Sequence, residues 1–302
     1  MLAPSPLLTF RLAAAAARLV PLDLLCDGAQ WAGTRFGPGL LPEKTGQLAR
    51  HISRADPELG PAEVAEAAAR GIGSYARYWV ESFRLPRLPA SVIDRGFAVS
   101  GYHRIEASLA AGLGPILVLP HLGAWEWAAA WLNRVKDEQV TAVVERLEPA
   151  EVFDWFVDLR SAYGIDVVPV GPDAMARLVT AVRDRRIVCL LSDRDLSGSG
   201  VEVTFFGEPT TLPAGPALLA RRTGAPLLPT AVYYRGRGRL GVVGPAVTPD
   251  PALRLRDDLA RMTQELATAM EGLIADSPDQ WHLLEPNWPS DRALPVGPLA
   301  SA

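Results

Sequence analysis

Lysine, cysteine and histidine are all scarce in this 302-residue chain, and each scarcity narrows its possible functions. Lys44 and Lys136 are the only lysines, the net charge is −4, and no basic stretch is interleaved with aromatic residues, which argues against nucleic-acid binding. The two cysteines, Cys26 and Cys189, lie in apolar segments, so we expect reduced packing residues in a cytosolic setting. GxSxG, Walker and HExxH motifs and Cys/His clusters are all missing, so a serine hydrolase, a P-loop NTPase and a zinc enzyme lose their main support.

The chain also lacks a convincing membrane-spanning segment. Residues 107–125 contain no Asp, Glu, Lys or Arg, but Gly112, Gly114, Pro115 and Pro120 interrupt them, and the pattern is typical of a helix end, a strand and a turn. The apolar segment 7–31 has no cationic start and no long apolar core, so we do not expect a signal peptide. Two alternatives remain for it, a helix lying on a membrane surface and a helix packed on the domain.

The hydrophobic pattern changes near residue 90. Residues 1–85 resemble helices broken by Gly/Pro turns, with Pro61 and Glu63 opening a long helix that runs to about Trp79. From about 91 onward, short branched apolar runs alternate with helical segments. The predicted strands are 115–120, 140–144, 165–170, 187–192 and 227–234. The predicted helices are 102–111, 125–134, 149–163, 173–184, 213–223 and 253–275.

This alternation predicts an α/β fold in which a mostly parallel central sheet is covered by helices on both faces. Without an internal repeat or a low-complexity linker, we expect one compact unit, with residues 1–85 as a helical N-terminal extension that could lie on a membrane and residues 86–302 as the α/β core. Gly236, Gly238 and Gly241 match G-x-G-x-x-G, but they join two strand-like runs and therefore predict a hairpin turn.

The most informative segment is GPILVLPHLGAWEWAAAWLN at 114–133, in which an apolar strand leads through His121 into a helix carrying Glu126. A histidine at a strand end with an acid to orient it has the composition of a general base that activates a hydroxyl. The alternative is a structural histidine, whose hydrogen bonds are satisfied within the strand-to-helix turn and which has no catalytic role. The same spacing at His51 and Asp56 lies in a polar segment, and we interpret that pair as surface.

Further charged residues follow the predicted strands. Ligands of such sheets bind beyond the carboxyl ends of the strands, so these side chains should converge on one edge with His121. The converging residues are Glu145, Arg146, Asp193, Arg194 and Asp195, with Arg160 near the end of an intervening helix. Trp125 and Trp127 are candidates for lining an acyl pocket or for ordinary packing.

The segment PHLGAWEWAAAWL resembles the His-x4-acid motif of the bacterial lipid A biosynthesis lauroyl/myristoyl acyltransferases. The similarity covers nearly the whole chain, including the ER pair at 145–146, DRDLSGSGVEVTFFGEPTTLPAGPALLA at 193–220 and DQWHLLEPNW at 279–288. The last of these favours the actinobacterial phosphatidylinositol mannoside branch of the family over the lipid A branch.

The resemblance implies a glycerolipid-acyltransferase-like sandwich, peripheral on the cytoplasmic face of the cell membrane. It implies transfer of an acyl chain from acyl-CoA, as co-substrate, to a mannose hydroxyl of phosphatidylinositol mannosides, with no metal or redox cofactor. The alternatives are a lipid A precursor or another glycolipid as acceptor, and a non-catalytic lipid-binding member of the fold.

The resemblance also implies roles for individual residues. His121 would be the general base, Glu126 would occupy the motif's acid position, and a carboxylate of the DRDL segment would hold the histidine, for which we prefer Asp195 over Asp193. The substrate-binding candidates are Glu145, Arg146, Arg160, Asp193 and Arg194, the arginines because planar guanidinium donors suit phosphate oxygens.

Overall fold

The computed structural model of the protein describes residue 8 and residues 20–293, except 146, 147 and 197. The helices are α1 Leu22–Leu40, α2 Pro42–Ala55, α3 Pro61–Arg84, α4 Ala90–Arg95, α5 His103–Ala110, α6 Trp125–Arg134, α7 Ala150–Ser161, α8 Ala174–Arg183, α9 Gly215–Thr223, α10 Leu255–Ala275 and α11 Pro289–Ala293. The strands are β1 Phe97–Ser100, β2 Ile116–Leu119, β3 Val140–Val144, β4 Ile165–Pro169, β5 Ile187–Leu191, β6 Val201–Phe205, β7 Glu208–Leu212, β8 Leu227–Arg235 and β9 Gly238–Val243.

Seven strands form one sheet in the order β1-β9-β8-β2-β5-β3-β4. The five strands from β8 to β4 run parallel to one another, β9 is antiparallel to β8, and β1 is parallel to β9. The prediction of a mostly parallel sheet is therefore confirmed. Strands β6 and β7 form a separate antiparallel hairpin that the sequence pattern did not predict, because neither strand contains a continuous apolar run.

Both faces of the sheet are covered. Along β2, Ile116 and Val118 belong to one buried apolar cluster and Leu117 and Leu119 to another, as the alternation of side chains along a strand requires. The first cluster includes side chains of α8, α9 and α10, and the second includes side chains of α3, α4, α5 and α6. Cys189 of β5 is a free, buried thiol in the second cluster, and its burial raises its pKa to about 12.

The helical N-terminal region has the predicted character, although α3 is longer than expected. It begins at Pro61 and continues beyond Trp79 to Arg84, because Glu81 is buried and pairs with Arg77 at 3.0 Å and with Arg239 of β9. The Arg77–Glu81 pair has the i,i+4 spacing of a helix, whereas the pairing of Glu81 with Arg239 has no local signature in the sequence. The boundary near residue 85 between the extension and the core stays a prediction.

Helix α1 packs closely on α3 through small residues. A Cβ on Gly73 would lie 2.5 Å from the backbone oxygen of Gln30 and 2.2 Å from Oγ1 of Thr34, so glycine is required for this approach. Among the described residues, no helix has the length and apolar character needed to span a membrane.

Candidate active site

His121 lies just beyond the carboxyl end of β2, in the turn that leads into α6. The turn depends on Gly123, which has a φ of +57° and whose Cβ, if present, would lie 2.0 Å from the backbone oxygen of Val232 in β8. The backbone amide of Gly123 donates to Gln280 and that of Ala124 to Val232, each at 3.0 Å. The imidazole of His121 is therefore presented from a rigid turn, and its side chain is 37% exposed.

The carboxylate that holds His121 is Asp193. Its Oδ1 lies 2.6 Å from Nδ1 of the ring, and its Oδ2 accepts a hydrogen bond from the His121 backbone amide at 2.9 Å. This corrects two predictions, the preference for Asp195 as the partner of His121 and the assignment of Asp193 to substrate binding. Asp193 has 0% exposure, so a substrate cannot reach it.

Asp195 shapes the loop that follows β5. Its carboxylate accepts hydrogen bonds from the backbone amides of Gly200 at 2.7 Å and Gly198 at 3.2 Å, and from the hydroxyl of Thr211 at 3.0 Å. These contacts join the loop to the hairpin of β6 and β7. Asp195 therefore has a structural role two residues away from the carboxylate that contacts the histidine.

The environment of Asp193 favours its ionised form. Burial raises the pKa of its carboxyl, but the charge of His121 and the hydrogen bonds from the His121 ring, the Trp281 indole and the His121 backbone lower it by more, so the net pKa is below the ordinary value. An ionised carboxylate accepts the Nδ1 proton of His121. In the neutral form of the ring, a proton on Nδ1 leaves the lone pair of Nε2 to accept a proton.

Glu126 is buried in a cluster of its own. Its carboxylate accepts bonds from Nε and Nη2 of Arg160 at 3.1 and 2.8 Å, from the Tyr78 hydroxyl at 2.8 Å and from the Tyr163 hydroxyl. Burial and the negative charge of Glu126 raise the pKa of both tyrosines, which stay neutral donors. The expectation that Glu126 orients the histidine is therefore replaced by a structural role joining α3, α6 and α7.

The same contacts correct the prediction that Arg160 binds phosphate. Its side chain is only 13% exposed, and two of its three nitrogens are held by Glu126. Burial lowers the pKa of Arg160, but the charge of Glu126 raises it by more, so the guanidinium remains charged. A guanidinium in this position stabilises the helix layer.

The two tryptophans at the start of α6 are both buried. Trp127 is 1% exposed, donates from its indole to the backbone oxygen of Ile93 at 3.1 Å, and has the guanidinium of Arg239 3.7 Å from its ring centre. It is a core residue, so of the two alternatives stated for Trp127 the structure favours ordinary packing over an acyl pocket. Trp125 is 6% exposed, with the Arg160 guanidinium 5.5 Å from its ring, and its role in acyl binding stays a prediction.

The remaining charged candidates lie at the predicted sheet edge. Nη2 of Arg194 is 3.4 Å from Oε2 of Glu145, so the ends of β3 and β5 are brought together as expected. The Nε atom of Arg194 is buried and has no hydrogen-bond partner among the described residues. Arg146 lies outside the described residues.

Several residues of this site were missed in the sequence. Trp281 and Asn287, from the segment after α10, both bond to Asp193, and the backbone amide of His282 donates to the His121 carbonyl at 2.6 Å. The signal for them was the run DQWHLLEPNW at 279–288, which we used only as a mark of the family resemblance and not as a source of contacts to the histidine turn. The helix and strand periods carry no information about such a segment.

The interpretation of His51 as a surface residue is also wrong. The side chain has 0% exposure, its Nδ1 lies 2.9 Å from the Leu283 carbonyl, and its Nε2 lies 3.3 Å from Oδ2 of Asp291. His51 faces the C-terminal segment together with its polar neighbours Arg50 and Arg54, whose guanidinium groups lie 3.7 and 2.8 Å from Oδ1 of the same buried Asp291. Its partner is thus Asp291 and not Asp56.

Comparisons with known proteins identify the family. The sequence profile of the bacterial lipid A biosynthesis acyltransferases matches residues 12–290. The phosphatidylinositol mannoside acyltransferase of Mycobacterium tuberculosis (strain CDC 1551 / Oshkosh) is 41% identical over 274 residues, which cover 87% of this chain and 81% of that protein. The phosphatidylinositol mannoside acyltransferase of Mycolicibacterium smegmatis is 37% identical over 268 residues, 87% of this chain and 84% of that protein. The chain therefore belongs to the bacterial lipid A biosynthesis acyltransferase family.

Proposed function

We propose that this protein transfers a long-chain acyl group from acyl-CoA to a mannose hydroxyl of phosphatidylinositol mannosides, with His121 as the general base. The observation that carries the proposal is the 2.6 Å contact between Nδ1 of a partly exposed His121 and the buried Asp193. The names of the two mycobacterial relatives support the acceptor. The donor follows from the resemblance to acyl-CoA-dependent enzymes.

In the proposed reaction, Nε2 of His121 accepts the proton of the sugar hydroxyl as the hydroxyl oxygen attacks the thioester carbonyl. Asp193 keeps the Nδ1 proton in place and stabilises the imidazolium that forms. The new C–O bond then replaces the C–S bond, and the leaving thiolate of CoA takes up the proton from His121. No covalent intermediate with the enzyme is required.

Arg194 is our candidate for binding a phosphate of the donor or the acceptor. Its side chain is 25% exposed, and Glu145, its partner at 3.4 Å, is 52% exposed, so the pair is open to solvent. Exposed ion pairs contribute only about 0–1 kcal/mol, and a phosphate that offers two oxygens to the guanidinium can therefore compete with Glu145. We assign Arg194 to phosphate binding on this basis, and Glu145 is the partner that the phosphate would displace.

The exposed apolar side chains of α1 support a peripheral position on a membrane, and we propose its cytoplasmic face because the family resemblance implies it. Leu24, Trp31, Phe36 and Leu40 are 61%, 64%, 49% and 76% exposed, which is unusual for four large apolar side chains on one helix. Helix α1 packs on α3 at Gly73. The next residue of α3, Ser74, forms a hydrogen bond with His282, which follows Trp281. A membrane under α1 would thus lie close to the site.

Binding to lipid vesicles tests this position. Helix α1 carries one basic residue, Arg35, so we expect apolar insertion to dominate and binding to depend weakly on salt. Trp31→Ser and Leu40→Ser should each weaken sedimentation with phosphatidylinositol-containing vesicles by about tenfold. Leu255→Ser, at a similarly exposed leucine of α10, is the matched control and should leave binding unchanged. Equal binding by all four proteins would refute the assignment.

Turnover is tested by CoA release from palmitoyl-CoA with phosphatidylinositol mannosides, with a lipid A precursor, and without acceptor. We expect release only with the mannosides and a loss of roughly 10²–10⁴-fold in folded His121→Ala. His103→Ala, at the exposed first residue of α5, is the matched control and should keep full activity. Transfer only to the lipid A precursor would support that acceptor instead, and acyl-CoA binding without release under any condition would support a non-catalytic lipid-binding protein.

A further inference from the structure

The segment 280–291 is fixed at both ends. At one end, the side-chain amide of Gln280 accepts from the Tyr234 backbone amide at 2.7 Å and donates to the Tyr234 carbonyl at 3.1 Å, as a strand partner would. At the other end, the buried carboxylate of Asp291 accepts from the backbone amide of Asn287 at 2.9 Å. The residues between Gln280 and the start of α11 at Pro289, which form no helix or strand, are thereby given one conformation.

Between its ends, the segment runs against the histidine turn. The backbone amide of His282 donates to the His121 carbonyl, and Trp281 forms an antiparallel bridge with Leu122. These contacts bring two side chains of the segment to Asp193. The Trp281 indole donates to Oδ2 at 2.7 Å, and the Asn287 side-chain amide donates to the Asp193 backbone carbonyl at 3.0 Å.

The four bonds to Asp193 are divided between its atoms in a specific way. Oδ2 receives the Trp281 indole and the His121 backbone amide, the backbone carbonyl receives Asn287, and Oδ1 remains for the His121 ring. Rotation of the carboxylate would break the bonds to Oδ2 inside the protein, where unpaired polar groups are costly. The carboxylate is thereby held with one oxygen aimed at the imidazole.

We infer that Trp281 and Asn287 are positioning residues for acyl transfer, Trp281 through the Asp193 carboxylate and Asn287 through the Asp193 backbone. This inference rests on the proposed function, in which His121 and Asp193 form the base. Neither residue needs to touch a substrate, since Trp281 fixes the orientation of the carboxylate and Asn287 fixes the backbone that carries it. We expect substitution of either residue to lower kcat, because the orientation of the base matters in the transition state.

Core packing is the competing explanation, since Trp281 has 0% exposure and its ring lies 5.2 Å from that of His51. Trp288 separates the two explanations. It is equally buried, belongs to the same segment, and donates from its indole to the Phe205 carbonyl at 3.1 Å instead of to Asp193. Trp281→Phe and Trp288→Phe therefore remove the same kind of ring and one indole hydrogen bond each, and only the bond of Trp281 goes to Asp193.

The test measures kcat and KM for palmitoyl-CoA, with stability recorded by urea unfolding. For Trp281→Phe we expect kcat to fall roughly tenfold or more while KM changes less than about twofold. Trp288→Phe should lose comparable stability and keep kcat. Asn287→Ala is the second variant, should Trp281→Phe fail to fold, and we expect the same selective loss of kcat.

A double-mutant cycle tests whether Trp281 acts through Asp193. In an Asp193→Asn background, Trp281→Phe should change kcat by less than about twofold, because the group that it positions is already altered. Equal losses of kcat in Trp281→Phe and Trp288→Phe, or the same loss in both backgrounds, would overturn the inference. If instead His121→Ala retained activity, the proposed function itself would fail, and that outcome is measured independently of both tryptophan variants.

Discussion

Replacing Glu126 by alanine should unfold the protein more readily without acting directly on the chemistry. The change leaves the guanidinium of Arg160 charged and 13% exposed, and it removes the acceptor for the hydroxyls of Tyr78 and Tyr163. Removing one member of a buried ion pair typically costs about 3–5 kcal/mol, mostly because the other charge stays buried without a partner. We expect a loss of that size in the free energy of unfolding.

Urea unfolding followed by the fluorescence of the eight tryptophans measures this loss. The slope of the free energy of unfolding against urea concentration should be unchanged, so only the urea concentration at the midpoint should fall. The control is the double variant Glu126→Leu/Arg160→Met, in which no buried charge remains. It should recover a large part of the stability that Glu126→Ala loses, since apolar replacements of buried ion pairs are often neutral.

The conservative variant Glu126→Gln addresses turnover. Because Glu126 bonds to Arg160 and the two tyrosines, kcat measured where this variant is folded should stay far above that of His121→Ala. A loss of stability below about 1 kcal/mol in Glu126→Ala, together with a fall in kcat as large as that of His121→Ala, would refute the structural role.

Two further predictions concern stability. Burial and the nearby charge of His121 lower the pKa of His282 to about 3. Below pH 6.5 the unfolded chain therefore takes up a proton at this residue that the native protein does not. The free energy of unfolding should then decrease as the pH falls, by about 1.4 kcal/mol per pH unit between pH 6 and 4. In His282→Gln the urea midpoint should depend less on pH between pH 7.5 and 5 than in the wild type. Parallel plots of the midpoint against pH for the two proteins would contradict this. Gly73→Ala should destabilise the protein by about 1–3 kcal/mol, because the new Cβ would meet the backbone of α1. Gly46→Ala is the control in α2, where a Cβ has open space, and it should stabilise the protein by about 0.5–1 kcal/mol. Equal thermal midpoints for the two variants would exclude the close contact between α1 and α3.

The sheet could be predicted because its central strands are continuous apolar runs between helices with a clear period. Val140–Val144 was predicted with its observed bounds, and β2 and β5 within one residue at each end. The hairpin of β6 and β7 was missed because Thr, Glu and Pro interrupt the apolar residues of its strands. For such segments the pairing partner, and not the local composition, determines the structure.

The place of His121 at the sheet edge was predictable, but the partners of each side chain in the candidate site were not. His121 follows a buried strand, so its place at the sheet edge could be inferred from pattern alone. The choice between Asp193 and Asp195 depends on Trp281 and Asn287, about ninety residues further along the chain. Glu126 has the spacing of a partner for His121, yet its side chain bonds to residues of α3 and α7, which only the packed fold reveals.

The most direct test of the account compares the initial rate of mannoside-dependent CoA release in wild type, His121→Ala, Asp193→Asn and the double variant, each confirmed as folded. If His121 is the base and Asp193 acts through it, His121→Ala should lower the rate by roughly 10²–10⁴-fold, and adding Asp193→Asn to it should change the rate no further. Full activity in folded His121→Ala, or single losses that multiply in the double variant, would contradict the assignment of the pair.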